Sequence, residues 1–192
     1  MAEAKNHEAF VPHASMAASL DAMLNWGTPG YYSLCKAMGE AARPFLRPNA
    51  RVIDLNARGG DWLEPLLAEA SFRCRFIALN ATEADKDRCM DRFRMEIHLG
   101  DVQEMRRDLC EGVPPITGDV TICALALTHK SEECQRNVLH GVFKHTHKGG
   151  AMLLVESSSP ENDWREALLE AGFSEVRTIW SSSMAAAWLA IK

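Results

Sequence analysis

Residues 52–60 read VIDLNARGG, and this stretch decides the fold class. Asp54 stands among branched apolar residues, a composition that is typical of a strand buried on both faces of a parallel sheet. Gly59 and Gly60 then break the strand, and the apolar residues that follow recur at helical spacing. A buried strand, a glycine turn and an amphipathic helix in this order predict the first unit of an α/β sheet.

The same alternation continues along the chain. Short apolar runs predict further strands at residues 75–79, 96–99, 119–125 and 151–156, with helices at 83–94, at 132–145 and around 164–171. Two last apolar runs, 175–180 and 184–191, are separated by serines and predict a hairpin. We therefore expect a Rossmann-like, seven-stranded, mostly parallel sheet with an antiparallel C-terminal hairpin and N-terminal helices.

The N-terminal part has a different pattern. Residues 1–14 show no periodicity and predict a disordered tail, whereas residues 15–26 and 31–42 predict helices separated by a Gly-Thr-Pro-Gly turn. We expect one domain over residues 15–192, in which N-terminal helices at 15–48 precede a Rossmann-like core at 49–192.

Composition excludes several classes of protein. Lys and Arg number 21 against 26 Asp and Glu, and this net charge of −5 argues against a protein whose main task is nonspecific binding of nucleic acid. The opening residues contain no apolar run of the signal-peptide kind, and the longest apolar stretch, 184–191, is too short to cross a bilayer. We therefore expect a cytoplasmic protein without membrane insertion.

Cysteine and histidine do not indicate a metal site. The six cysteines are scattered without a CxxC pair, which favours reduced thiols. His140, His145 and His147 are clustered among lysines before Gly149-Gly150, and we interpret them as the cationic end of a helix. No metal is predicted.

Several short motifs, in their order along the chain, carry a family resemblance. They are TPGY at 28–31, the first strand with Asp54, Gly100-Asp101, KGG at 148–150, AGFSEV at 171–176 and WLAIK at 188–192. With them the chain resembles the class I S-adenosylmethionine (AdoMet)-dependent methyltransferases from about residue 27 to residue 192. Within that family it is most similar to the carboxy-AdoMet synthases and related enzymes of tRNA wobble-uridine modification.

The resemblance implies AdoMet as cofactor and a site at the strand ends. In the family, a glycine loop after the first strand approaches the amino-acid part of AdoMet. An acid after the second strand binds the ribose, and an aspartate after the third strand contacts adenine. In the subgroup, a tyrosine also closes over the ligand. The positions of this sequence that match the family's site are Tyr31, Asp54, Asn56, Arg58, Gly59, Gly60, Asn80, Ala81, Asp101, Val102 and Ala124.

Four of these residues depart from the family pattern. Asn56 and Arg58 replace loop glycines, Asn80 replaces the ribose-binding acid, and Ala124 replaces a polar residue. Loss of a charge-assisted hydrogen bond at position 80 would weaken binding by about 1–2 kcal/mol. Two roles are open for the Arg58 side chain. It either pairs with the carboxylate of AdoMet, or it blocks the pocket and points to solvent.

Simpler structural roles remain open for three other candidates. Asp54 is either a support of the loop or a strand-end cap, and Asp101 is either an adenine contact or an ordinary turn aspartate. Tyr31 is either a lid residue or an aromatic packed on the core.

Two functions follow as hypotheses. The first is an AdoMet-dependent methyltransferase with a small-molecule or RNA acceptor, in which His129 is the candidate base and Met23, Trp26 and Tyr32 select the acceptor. A small molecule is the favoured partner, since the charge does not indicate tRNA, and a homodimer is left open. The alternative is a catalytically degenerate methyltransferase fold that serves as a binding or scaffold module.

Overall fold

The computed structural model describes residues 29–70, 73–158 and 163–192. The helices are α1 (Pro29–Ala42), α2 (Leu63–Glu69), α3 (Glu83–Arg92), α4 (Arg94–His98), α5 (Glu132–His145) and α6 (Trp164–Glu170). The strands are β1 (Arg51–Asp54), β2 (Arg75–Asn80), β3 (Val102–Arg106), β4 (Gly118–Ala124), β5 (Thr146–Ser157), β6 (Glu175–Ser181) and β7 (Ala185–Ile191). The helix expected at residues 15–26 and the tail at 1–14 lie outside the described residues.

The strands form one seven-stranded sheet in the order β3-β2-β1-β4-β5-β7-β6. The first five strands in the chain pair in parallel, whereas β7 pairs antiparallel with both β5 and β6. The strand order reverses between β1 and β4, and ligands of open α/β sheets bind at such a switch point, beyond the carboxyl ends of the strands. The predicted fold class is confirmed.

Side chains of β1 alternate between two hydrophobic cores because successive residues of a strand face opposite sides. Val52 belongs to the core that includes Leu34 of α1 and Leu63 of α2. Ile53 belongs to the core on the other face, together with Leu139 of α5. The carboxyl end of β1 is thereby held between two packed layers.

The strand predicted at residues 96–99 is wrong, because the chain is helical there. The amide of Leu99 donates to the carbonyl of Met95, and Gly100 follows with φ 75°. A glycine in this left-handed conformation is a common helix end. Leu99 is 56% exposed, whereas Ile97 is partly buried and packs against one of the two cores from this short helix.

The third strand begins later than expected. Val102 pairs with Phe76 and Arg106 with Asn80, so the whole of β3 lies after Gly100-Asp101. Asp101 and Val102 therefore lie at the amino end of this strand, on the edge of the sheet opposite to the predicted site.

Candidate functional site

Three buried residues end neighbouring strands at the carboxyl edge of the sheet. Asp54 ends β1, Asn80 ends β2 and Ala124 ends β4, and each has 0% exposure. Because these strands are parallel, their ends meet at one edge. The structure thus brings together the three strand-end positions that the sequence predicted.

Asp54 carries a buried carboxylate with one unpaired oxygen. Its Oδ1 accepts a hydrogen bond from the amide of Asn56 at 3.1 Å. Its Oδ2 has no hydrogen-bond partner among the residues that the structure describes. Burial raises the pKa of Asp54 to about 7. The hydrogen bond from the amide of Asn56 lowers this pKa, and the negative charge of Asp61 raises it by a smaller amount. An orphaned acceptor of this kind fits a ligand donor.

The loop after β1 turns through three successive left-handed residues. The φ angles of Arg58, Gly59 and Gly60 are 47°, 83° and 93°. A Cβ on Gly60 would lie 2.0 Å from Cε2 of Phe93, so the missing side chain makes room for a buried aromatic ring. Arg58 adopts a conformation that costs about 1–2 kcal/mol for a residue with a Cβ.

Asn80 fastens this loop to the neighbouring strands. Its Oδ1 accepts from the amide of Gly59 at 3.3 Å, and its Nδ2 donates to Oε1 of Glu104 in β3 at 3.4 Å. Only a side chain with both an acceptor and a donor makes these two contacts. An aspartate at this position would instead face the Glu104 carboxylate.

Asn56 forms a second tie across the site. Its Nδ2 donates to the carbonyl oxygen of Ala124 at 2.9 Å and so connects the loop to the end of β4. Residues 56 and 80, which depart from the family pattern, therefore both hold the loop through side-chain amides.

Charged groups of α3 lie beside the loop. Arg92 pairs with Oδ1 of Asp61 at 2.5 Å. Burial raises the pKa of Asp85, but hydrogen bonds from Thr82 and Arg88, together with the charge of Arg58, lower it overall. The Arg58 guanidinium thus acts on the acidic first turn of α3.

Tyr31 closes one side of the loop from α1. Its hydroxyl donates to the carbonyl of Asp61 at 3.4 Å, and its ring meets Trp62 edge to face at 6.1 Å. Burial and the hydrogen bond with Cys35 raise its pKa. Of the predicted acceptor-selecting residues, Tyr32 is 68% exposed, whereas Met23 and Trp26 lie outside the described residues.

Glu156 is a site residue that the sequence analysis missed. Its carboxylate is fully buried and accepts from the amides of Ala126 and Leu127 at 2.8 and 2.7 Å. It also accepts from the hydroxyl of Thr128 at 2.5 Å. These contacts fix the turn after β4 on which His129 is exposed. A buried Glu ending an apolar strand was the available signal.

Asp101 does not join the site. It pairs with Arg73 at 2.5 Å and lines a cavity of about 710 Å³ at the amino edge of the sheet. The acid that follows β3 at the carboxyl edge is Asp108, which accepts from the amide of Cys110 at 2.9 Å and lies 3.7 Å from the ammonium of Lys130. Because the third strand was predicted too early in the chain, Asp108 was not among the predicted site residues.

Two further observations concern metal and membrane. Within residues 29–70, 73–158 and 163–192, no three side chains of His, Cys, Asp or Glu form a group that could hold a metal ion. The same segments contain no helix with the length and apolar character needed to span a bilayer.

Comparison with known proteins identifies the fold. A carboxy-S-adenosyl-L-methionine synthase of Idiomarina loihiensis is 22% identical over 158 residues, covering 77% of this chain and 62% of the relative. An O-methyltransferase family protein from Burkholderia thailandensis superposes with a TM-score of 0.71 at 16% identity, over 92% of this chain and 59% of that chain. The chain has the class I methyltransferase fold.

An RNA-modifying enzyme is also among the structural neighbours of this chain. A 16S rRNA methyltransferase from T. thermophilus, solved with AdoMet and guanosine, superposes with a TM-score of 0.65 at 17% identity over 85% of this chain and 43% of that chain. No family model matches the chain. The chain spans about three fifths of the length of the carboxy-S-adenosyl-L-methionine synthases it matches.

The raised pKa of Asp54 predicts a pH-dependent stability difference. Protonated Asp54 is favoured in the folded protein, so its contribution to stability is present below its ordinary pKa of 3.8 and is lost as pH rises through about 7. Relative to Asp54→Asn, the free energy of unfolding of the wild type should fall by about 4 kcal/mol between pH 3.5 and pH 8. Urea unfolding across this range measures the difference, and parallel pH profiles would contradict it.

The contacts of Asn80 predict that an acid is harmful at this position. Asn80→Asp should lower the free energy of unfolding by about 2 kcal/mol at pH 7, because it places a carboxylate against that of Glu104. Adding Glu104→Gln supplies a donor and should recover most of the loss, whereas Glu104→Gln alone should change little. Urea unfolding of the four proteins gives the coupling, and an equal loss with either residue at position 104 would refute this explanation.

Proposed function

We propose that this chain binds AdoMet at the carboxyl edge of β1, β2 and β3 and transfers its methyl group to a small-molecule or RNA acceptor. The observation that carries the proposal is the buried Oδ2 of Asp54, which has no hydrogen-bond partner in the described part of the chain and lies beside the left-handed loop at residues 58–60. The fold and the sequence relatives support the same ligand.

The residues fit AdoMet in part. Asp54 offers an acceptor for a donor of the ligand, and Asp108 takes the place of Asp101 as the acid for the adenine amino group. The side chain of Asn80 is already engaged with Gly59 and Glu104, so it offers the ribose less than a free carboxylate would. We therefore expect binding about tenfold weaker than with an acid at this position.

Bound AdoMet would supply an electrophilic methyl group on its sulfonium, and the protein would mainly align donor and acceptor. Glu156 fixes the turn after β4 through backbone amides and so determines where His129 stands. His129, exposed on this turn, is the candidate base for an acceptor that must lose a proton. Tyr31 would cover the ligand from α1.

A binding or scaffold module without catalysis is the second candidate, and specific contacts favour it. The amide of Gly59 donates to Asn80 and that of Gly60 donates to Ala57 at 2.6 Å, so both loop donors serve the protein itself. If AdoMet does not raise the melting temperature of the wild type, this candidate is supported over the first.

The matched pair Asp108→Asn and Asp101→Asn tests the binding site. AdoMet at about one hundred times its dissociation constant should stabilise the wild type by about 2.7 kcal/mol, a melting shift of roughly 5–10 °C. We expect Asp108→Asn to lose at least half of this shift because it removes the charge at the adenine end. Asp101→Asn, at the opposite edge, should keep the full shift.

Differential scanning fluorimetry with AdoMet and with S-adenosylhomocysteine measures all three proteins. If Asp101→Asn loses the shift while Asp108→Asn retains it, the assignment of the carboxyl edge is wrong. If the wild type shows no shift at millimolar ligand, AdoMet binding itself is refuted.

A further inference from the structure

Two cysteines from separate segments meet beside the proposed site. Cys110 lies in the 3₁₀ turn Leu109–Glu111 after β3, and Cys134 lies in the first turn of α5. They are 24 residues apart in sequence, yet their Sγ atoms are 2.8 Å apart. A disulfide needs about 2.05 Å, so a movement of less than 1 Å would bring the two sulfurs to bonding distance.

The surroundings of this pair differ from those of the other cysteines. Cys74, Cys89 and Cys123 are buried, and Cys35 is half-buried against Tyr31. Cys110 is the exposed cysteine among the six of the chain, and Cys134 behind it is half-buried. A small oxidant can therefore reach Cys110 first, with a second thiol in contact with it.

We propose that Cys110 and Cys134 are a redox-active dithiol that closes to an intramolecular disulfide with a small-molecule disulfide, such as oxidised glutathione, as the oxidant. The thiolate of Cys110 attacks one sulfur of oxidised glutathione, which forms a mixed disulfide and expels one glutathione thiolate. Cys134 then gives its proton to solvent and attacks the sulfur of Cys110, expelling the second glutathione thiolate. Two protein thiols are oxidised, and one glutathione disulfide is reduced to two thiols.

The order of attack follows from the environment of each sulfur. Burial and the hydrogen bond with Cys110 raise the pKa of Cys134 to about 11, which leaves Cys134 protonated at neutral pH. Cys134 is also the less exposed of the two thiols, so an oxidant meets Cys110 first. As the second nucleophile it is already in contact with its target. Lys130 stabilises its thiolate, since the charge of that ammonium lowers the pKa of Cys134.

The crosslink would join two segments that carry site residues. Asp108 begins the turn that contains Cys110, and His129 precedes α5, in whose first turn Cys134 lies. Closing the disulfide would restrain the end of β3 against the start of α5. The chemical step itself requires no AdoMet, so its test is independent of the proposed function.

Mass spectrometry of the reduced full chain, incubated folded with oxidised glutathione, tests the proposal. We expect the wild type to lose two hydrogen atoms without a lasting glutathione adduct, and dithiothreitol to reverse the change. After alkylation of free thiols, trypsin should yield peptides 108–130 and 131–136 joined by a disulfide. Cys134→Ser should accumulate a glutathione adduct on Cys110, because the resolving thiol is absent, and Cys110→Ser should form neither product.

Cys35→Ser is the matched control, since it removes another half-buried thiol, and it should still form the crosslink at the wild-type rate. A stable glutathione adduct on Cys110 of the wild type, without crosslink, would overturn the proposal. A crosslink that persists in Cys110→Ser would also overturn it, because another cysteine would then be the partner of Cys134.

Discussion

The hydrogen bond from the amide of Gly59 to Oδ1 of Asn80 is the contact on which the arrangement of the site depends. The loop after β1 contains three successive left-handed residues, one of them an arginine, and this strained backbone needs a restraint from outside the loop. Asn80 provides it from the end of β2, while its other amide atom is held by Glu104. The same loop conformation leaves room for the ring of Phe93 beneath Gly60.

Two buried carboxylates at this edge serve different purposes. Glu156 is saturated by donors of the turn after β4, and burial raises its pKa although these hydrogen bonds oppose the shift. Asp54 has a single backbone donor, and its second oxygen is buried without a partner among the described residues. A satisfied buried acid rigidifies structure, whereas an unsatisfied one costs stability unless a ligand pairs with it. Because of this contrast, we propose that Glu156 supports the turn after β4 and that Asp54 contacts the ligand.

The sequence predicted those elements whose signals combine several independent features. Helix α5 has the predicted bounds, because Ser131 caps it, acids occupy its first turn, and its apolar residues recur on one face. The strand and glycine loop at residues 51–60 and the C-terminal hairpin are equally well marked. In each case the local preference and the tertiary packing agree.

The third strand and the residues that depend on it could not be predicted. A short apolar run such as residues 96–99 fits a strand or a helix equally well, and only the pairing of β3 with β2 decides between them. This error placed Asp101, and not Asp108, at the carboxyl edge of the sheet. The contacts of Asn80 were also inaccessible, because a single sequence does not show which backbone amides approach a buried side chain.

Amide chemical shifts of the glycines test the central claim most directly, since Gly59 and Gly60 lie at the carboxyl edge whereas Gly100 lies at the amino edge. In ¹⁵N-labelled protein titrated with S-adenosylhomocysteine, we expect the signals of Gly59 and Gly60 to move in proportion to saturation while that of Gly100 stays in place. Movement of Gly100 alone, or no movement of any glycine signal at millimolar ligand, would contradict an adenosyl site held between Asp54, Asn80 and Asp108.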